Sequence, residues 1–166
     1  MRRVMPFACL LLAACGTAHS QPSPAVGTKV DRLFVDKSER LLVAYAANRE
    51  IVRYTNIRFG DAPTGHKRFE GDERTPEGTY RINGRNPASA YHLSLRISYP
   101  NAADRAFAKA KGRSPGGDIF IHGQPNAWPG PPIARDWTDG CIALSNTEIQ
   151  QLWDIVPDGI PITIRP

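Results

Sequence analysis

Two side chains carry the chemistry this sequence offers. Cys141 stands in DWTDGCIALSN (136–146), behind a glycine and among polar turn-formers. His122 closes the apolar run GDIFIHG (117–123), nineteen residues upstream. A thiol just ahead of a helix start has backbone N–H groups nearby that favour its thiolate. The same donors could stabilise the oxyanion formed when sulfur attacks a carbonyl. Gly140 lets the chain take an unusual conformation there and lets a substrate approach closely. An imidazole at a strand end, facing a cysteine loop, is the other half of a Cys–His nucleophile pair. Spacing alone leaves two readings of His122 open, a catalytic base or a satisfied structural histidine.

The other cysteines sharpen the question. The N-terminus MRRVMPFACLLLAACGTAHS reads as an export signal: two arginines, an apolar run too short for a permanent anchor, then small residues. Residues 1–14 are assigned to that signal. Its end, Leu12-Ala13-Ala14-Cys15, resembles the lipobox of bacterial lipoproteins, in which the cysteine is acylated and becomes the first residue. A plain signal peptide cut near Ala18 is the alternative. Gly16 lacks the aspartate linked with inner-membrane retention, so the expectation is a periplasmic protein anchored at the outer membrane. Cys9 would be discarded and Cys15 lipidated, which leaves Cys141 as a lone thiol in an oxidising compartment. There a free thiol is buried or useful, and its polar turn context points to reactivity.

The elements that must position these groups follow from pattern. Residues 15–29 are rich in Pro, Ser, Thr and Gly and read as the lipid anchor and a flexible tether. One domain is expected over 30–166. DRLFVDKSERLLVAYAANREIVRYTNIRFG (31–60) reads as three strands joined by hairpin turns. GTYRIN (78–83) and YHLSLRISY (91–99) alternate apolar with polar residues and read as strands, as do 117–123 and the closing IPITIRP. NAADRAFAKAKG (101–112) predicts a helix capped by Asn101. SNTEIQQLWDIV (145–156) predicts an amphipathic one, capped by Ser145 or Asn146, with Ile149, Leu152, Trp153 and Val156 on one face. Cys141 then falls in a turn between a strand and this helix. With 14 Gly and 15 Pro, a β-rich α+β fold with two short helices is expected. Without Arg2 and Arg3, 19 basic residues face 16 acidic ones, a net of +3 that argues for no nucleic-acid partner.

GDERTPEGTYRI (71–82), IFIHGQPN (119–126) and DWTDGCIALSN, in this order, resemble the YkuD-type L,D-transpeptidase family. Its signature joins His-Gly to Ser/Thr-any-Gly-Cys and a downstream Asn or Asp, matched by His122, Gly123, Thr138, Gly140, Cys141 and Asn146. Thr75-Pro76-Glu77-Gly78 matches an upstream Thr-Pro-any-Gly segment. The resemblance implies a β-sandwich-like catalytic domain that needs no cofactor and acts on peptidoglycan stem peptides. It assigns Cys141 as nucleophile and His122 as general base and acid. Gly140 would lend an oxyanion-hole amide, and the Gly123 carbonyl would orient the imidazole. Trp137, Thr138, Asp139 and Asn146 would contact substrate. The thiolate would attack the L-centre carbonyl of the third stem residue, expel D-alanine and leave a thioester. An amine acceptor then gives a 3-3 cross-link, and water gives carboxypeptidase or amide hydrolase activity. A non-catalytic wall-binding lipoprotein is the remaining alternative.

Three departures bear on detail. Many members carry histidine before Gly-Cys, where this chain has Asp139, a carboxylate that opposes thiolate formation. Many carry arginine two residues after the cysteine, where this chain has Ala143, with Arg135 a conceivable substitute. No separate peptidoglycan-binding module is recognised. Trp128 could line the groove or simply pack, as could Trp137. His66 reads as loop surface, and His92 as structural or exposed. No His, Cys or Asp pair has familiar metal-ligand spacing, so no metal is expected.

Overall fold

Alternation of apolar and polar residues turns the N-terminal half into a meander. Strand β1 (Arg32–Asp36) buries Leu33 and Val35 and pairs antiparallel with β2 (Leu41–Ala46), which pairs antiparallel with β3 (Arg49–Thr55). The β2–β3 connection is the residue pair Ala47-Asn48, both at positive φ. A two-residue hairpin of that hand matches the twist of its strands. The computed structural model describes residues 24–25 and 27–166, so the assigned export signal and Cys15 lie outside the described residues.

The rest of the sheet is laid down out of chain order. Strands β4 (Gly78–Ser89), β5 (His92–Ile97), β6 (Phe120–His122), β7 (Ile142–Ala143) and β8 (Pro161–Arg165) complete an eight-stranded order β3-β2-β1-β8-β4-β5-β6-β7. The C-terminal β8 lies between β1, to which it is parallel, and β4, to which it is antiparallel. Strand β4 belongs to two ladders. Residues 78–81 pair with β8, and from Ile82 onward it pairs with β5 through an irregular register at Ile82/Gly84. Such a bulge bends a strand and raises its twist, so the sheet curls at β4. The expected β-sandwich-like domain therefore takes the form of one curled sheet with two helices.

Helix α1 (Ala102–Ala110) starts at a capping box: Asn101 Oδ1 accepts from Asp104 N–H, and the Asp104 carboxylate accepts from Asn101 N–H. Helix α2 (Asn146–Ile155) starts in the same way at Ser145 and Glu148. Its buried stripe is Ile149, Leu152 and Ile155, while Trp153 stays partly exposed under the Arg85 guanidinium, 4.1 Å from the ring centre. This stripe packs on β5 and β6. It joins Leu95, Ile97, Ile121, Ile142 and Ile162 in the core.

The pattern reading differs from the structure in β4, which runs on to Ser89 where a strand over 78–83 is expected, and at two places near Cys141 and His122. The strand expected over 117–123 is cut to Phe120–His122, because Gly116 and Asp118 take positive φ and break the extended run. The stretch read as a turn around Cys141 contains β7, a two-residue parallel partner of β6. Two residues are too few to show a period.

Candidate active site

The pairing of β6 with β7 decides where the thiol and the imidazole lie. Ile121 faces Ile142 and His122 faces Ala143. That register puts Cys141, just ahead of β7, beside Phe120, whose N–H points at Sγ from 3.4 Å. His122 is then one diagonal step away, about 8 Å between Cα atoms from ordinary strand spacing and rise. Cys141 and His122 line one cleft of about 480 Å³, with Asn86, Ser89, Tyr91, Ser94, Asp118, Trp137, Thr138 and Asp139 among its walls.

His122 is nearly sealed, with 3% of its surface exposed. Its Nδ1 lies 2.8 Å from the Gly123 carbonyl. A carbonyl can only accept, so Nδ1 carries the hydrogen and Nε2 keeps its lone pair. Tyr91 lies against the imidazole at 4.7 Å between ring centres and Trp137 meets it edge-on at 5.5 Å. Burial lowers the imidazole pKa and holds the ring neutral, against the Gly123 hydrogen bond that favours its charged form. Gly123 allows this close assembly: a Cβ there would lie 2.6 Å from Asn146 Oδ1 and 3.0 Å from the Tyr91 carbonyl.

The Cys141 turn is tied by Thr138. Its hydroxyl donates to the Cys141 carbonyl at 2.8 Å and accepts from the Gly140 N–H at 3.2 Å. Gly140 has φ +118°, and a Cβ there would stand 2.4 Å from the Arg74 carbonyl. The turn thus rests directly on the segment that leads into buried Thr75 and Pro76. The Gly140 N–H assigned to an oxyanion hole is already engaged by Thr138 Oγ1.

Electrostatics around the sulfur also differ from the sequence reading. Burial pushes the Cys141 thiol up to about 11; the Phe120 N–H opposes this, Asp139 and Asp118 add to it, and Lys67 lowers it. The amide that reaches the sulfur comes from Phe120 and not from helix α2, whose cap Ser145 lies four residues beyond Cys141 and takes the Glu148 N–H. The Sγ–H donates to the Asp118 carbonyl at 3.6 Å, so the cleft holds a thiol and an imidazole that burial favours in their neutral forms, not a preformed ion pair.

The remaining expected contacts divide. Trp137, Thr138 and Asp139 are cleft residues. Asn146 lies apart from the cleft, where its Oδ1 accepts from Gln124 N–H at 2.8 Å and clamps the chain leaving His122. Trp128 is exposed and donates Nε1–H to the Pro131 carbonyl, outside the cleft lining. Arg135 is exposed and also outside it, and Ala143 lines a second cavity with Arg58, Gln124 and Glu148. His66 is not loop surface: Glu77 N–H donates to its Nδ1 at 2.8 Å, and its Nε2 donates to buried Asp104 at 2.9 Å. It bridges the Thr-Pro segment to α1. His92 sits at positive φ with its N–H on Asn126 Oδ1. Among the described residues no three His, Cys, Asp or Glu side chains form a metal-holding group.

Sequence reasoning missed Tyr91, the Ser89–Ser94 pair and the Arg40–Asp136 ion pair. Asp136 accepts both Arg40 nitrogens at 2.7 Å and the Phe59 N–H at 3.0 Å. It anchors the start of the cysteine turn from a residue 96 positions away. No local pattern carries that signal.

Comparison with known proteins bears on this geometry. A family model described as the YkuD L,D-transpeptidase catalytic domain matches residues 30–164. YafK of Escherichia coli strain K12, provisionally named an L,D-transpeptidase, is 31% identical over 98 residues, 58% of this chain and 33% of its own. The helical cell shape determining protein Pgp2 of Campylobacter jejuni superposes with TM-score 0.65 at 26% identity, over 84% of this chain and 48% of that one. Bd1075 of Bdellovibrio bacteriovorus superposes with TM-score 0.58 at 28% identity, over 83% and 48%. The chain thus spans about a third of the curated relative and under half of these solved structures.

Proposed function

Because the chain belongs to the YkuD L,D-transpeptidase catalytic domain family, we propose that it is a cysteine-dependent acyl transferase acting on peptidoglycan stem peptides. The observation that carries this is one cleft holding both Cys141 and a His122 whose Nδ1–H is tied to the Gly123 carbonyl. In this reading Nε2 takes the Sγ proton as sulfur attacks the L-centre carbonyl of the third stem residue. With the Gly140 N–H engaged by Thr138, the oxyanion falls to the Cys141 N–H. The C–N bond then breaks, the imidazolium returns its proton to the departing D-amino acid amine, and a thioester remains. An amine from a neighbouring stem attacks the thioester, loses a proton to His122 and expels the thiolate, which is reprotonated. The product is a 3-3 cross-link.

Hydrolysis is a second reading, with water replacing the amine and a carboxylic acid as product. It is favoured by the position where the family resemblance leads one to expect arginine. Ala143 stands there, and it lines a different cavity. Export and lipidation at Cys15, with residues 15–29 as a tether in the periplasm, complete the proposal. No helix of the described residues is long and apolar enough to cross a membrane.

Mass spectrometry of muropeptides treated with wild type and Cys141→Ala tests the reading. Transfer gives 3-3 dimers and hydrolysis gives tripeptides, each absent with Cys141→Ala. Sacculus binding with no product from wild type would instead mark a non-catalytic wall-binding protein.

A further inference from the structure

The cleft wall beside His122 contains two hydroxyls that an apolar sheet face does not need. Ser94 in β5 stands opposite His122 in the antiparallel register, with Asn86 of β4 opposite Ser94 on its other side. Asn86, Ser94 and His122 thus form a row across three strands, and all three line the cleft. Ser89 reaches the same place from the end of β4. Ser89 and Ser94 are 6% and 5% exposed, and their Oγ atoms are 2.5 Å apart.

Counting hydrogens shows what the pair leaves open. The Tyr91 N–H donates to Ser89 Oγ at 3.0 Å. Two hydroxyls own two hydrogens, and the bond between them uses one, whichever serine donates it. Among the described residues no acceptor takes the second. One buried O–H therefore remains to donate, at a wall of the cleft. A buried donor without a partner is costly, and a valine–alanine pair would fill this β position without that cost. The frame holding the serines is firm: Asn126 donates Nδ2–H to the Ser89 carbonyl at 2.9 Å and accepts the His92 N–H at 2.8 Å. No lysine or arginine is among the residues lining the cleft, so an incoming oxygen acceptor meets neutral donors.

We propose that the Ser89–Ser94 pair is a hydrogen-bond-donor subsite that holds a carbonyl or carboxylate oxygen of the bound stem peptide. This rests on the reading of the cleft as a stem-peptide site. The pair acts on the peptide and not on the imidazole, so its removal weakens binding while leaving the thiol and its base unchanged.

The test is peptide binding in the Cys141→Ala background, which needs no turnover, with a soluble tetrapeptide muropeptide as the probe. Adding Ser94→Ala or Ser89→Ala is expected to raise the dissociation constant about tenfold, the size of one neutral hydrogen bond. Ser94→Thr keeps a hydroxyl and is expected to restore most of the affinity. In the wild-type background, alkylation of Cys141 by iodoacetamide should be the same with and without each serine substitution. Unchanged affinity in folded variants, or no binding by Cys141→Ala alone, overturns the subsite. Alkylation shifting in step with affinity overturns it too, because the hydroxyls would then be acting on His122. A wild type that binds the peptide through the serines yet forms no thioester would sink the acyl-transfer reading and leave the subsite standing.

Discussion

Burial acts on the two reacting side chains in opposite directions and leaves both uncharged. It lowers the imidazole of His122 below its usual 6.5 and pushes the Cys141 thiol up to about 11. Below the lowered imidazole pKa, Nε2 is protonated and the base is lost, so activity falls as pH drops. The acid limb of kcat/KM is therefore expected below pH 6.5 rather than above it. In the absence of peptide, the rate of Cys141 alkylation should keep rising well past pH 9. Alkylation that levels off near pH 6 would indicate a preformed ion pair instead, and an acid limb above pH 7 would contradict a lowered imidazole pKa. His122→Ala is expected to lower kcat about 10²–10⁴-fold, the usual worth of a positioned base. Gly140→Ala meets both a positive φ and the Arg74 carbonyl. It is expected to lower stability by about 1–3 kcal/mol and to abolish activity, as read by thermal melting and thioester formation.

At the level of elements, the cysteine turn owes its place to groups far away in sequence. Asp136 carries the clearest case, with two Arg40 nitrogens and the Phe59 N–H on one carboxylate. Just beyond it, the Trp137 and Thr138 N–H groups both reach the Phe59 carbonyl, and Thr138 pairs with Gly60. Asp136→Ala leaves a half-buried guanidinium and an amide without their partner, which is expected to cost about 2 kcal/mol. Denaturant midpoints should show this loss, and kcat should fall as Trp137 and Thr138 lose their anchor. Burial works against the Asp136 carboxylate, but Arg40 and the Phe59 N–H outweigh it and hold its pKa below the usual 3.8. A group with a lowered folded-state pKa stabilises above its unfolded value and loses that contribution as pH falls through the folded one. The difference between wild type and Asp136→Ala should accordingly narrow in acid. Elements with local signals were legible: α2 announces itself by Ser145, Glu148 and the spacing of Ile149 and Leu152, and β1–β3 by alternation broken at turn residues. Strand β7 was not, because its two residues form a strand only by lying next to β6.

For the whole molecule, the C-terminal strand is the keystone. β8 joins the N-terminal meander to the ladder that carries His122, so the two halves of the chain share one core. Ile162, fully buried between β1 and β4, should cost about 2–5 kcal/mol when replaced by alanine. Unfolding of that variant is expected to remain a single transition by both fluorescence and circular dichroism. Two separated transitions would mean the halves are independent units. By itself, the sequence determined the strand and helix formers, the order of three motifs and the identity of one thiol and one imidazole, because these depend on residue type and short-range period. Tertiary structure alone decided that the pair is neutral, that Thr138 occupies the Gly140 amide and that Asn146 clamps the backbone outside the cleft. It also decided that His66 bridges to Asp104 and that two serines share a wall with His122. Each of these depends on desolvation or on partners dozens of residues apart, and such quantities exist only once the sheet has closed.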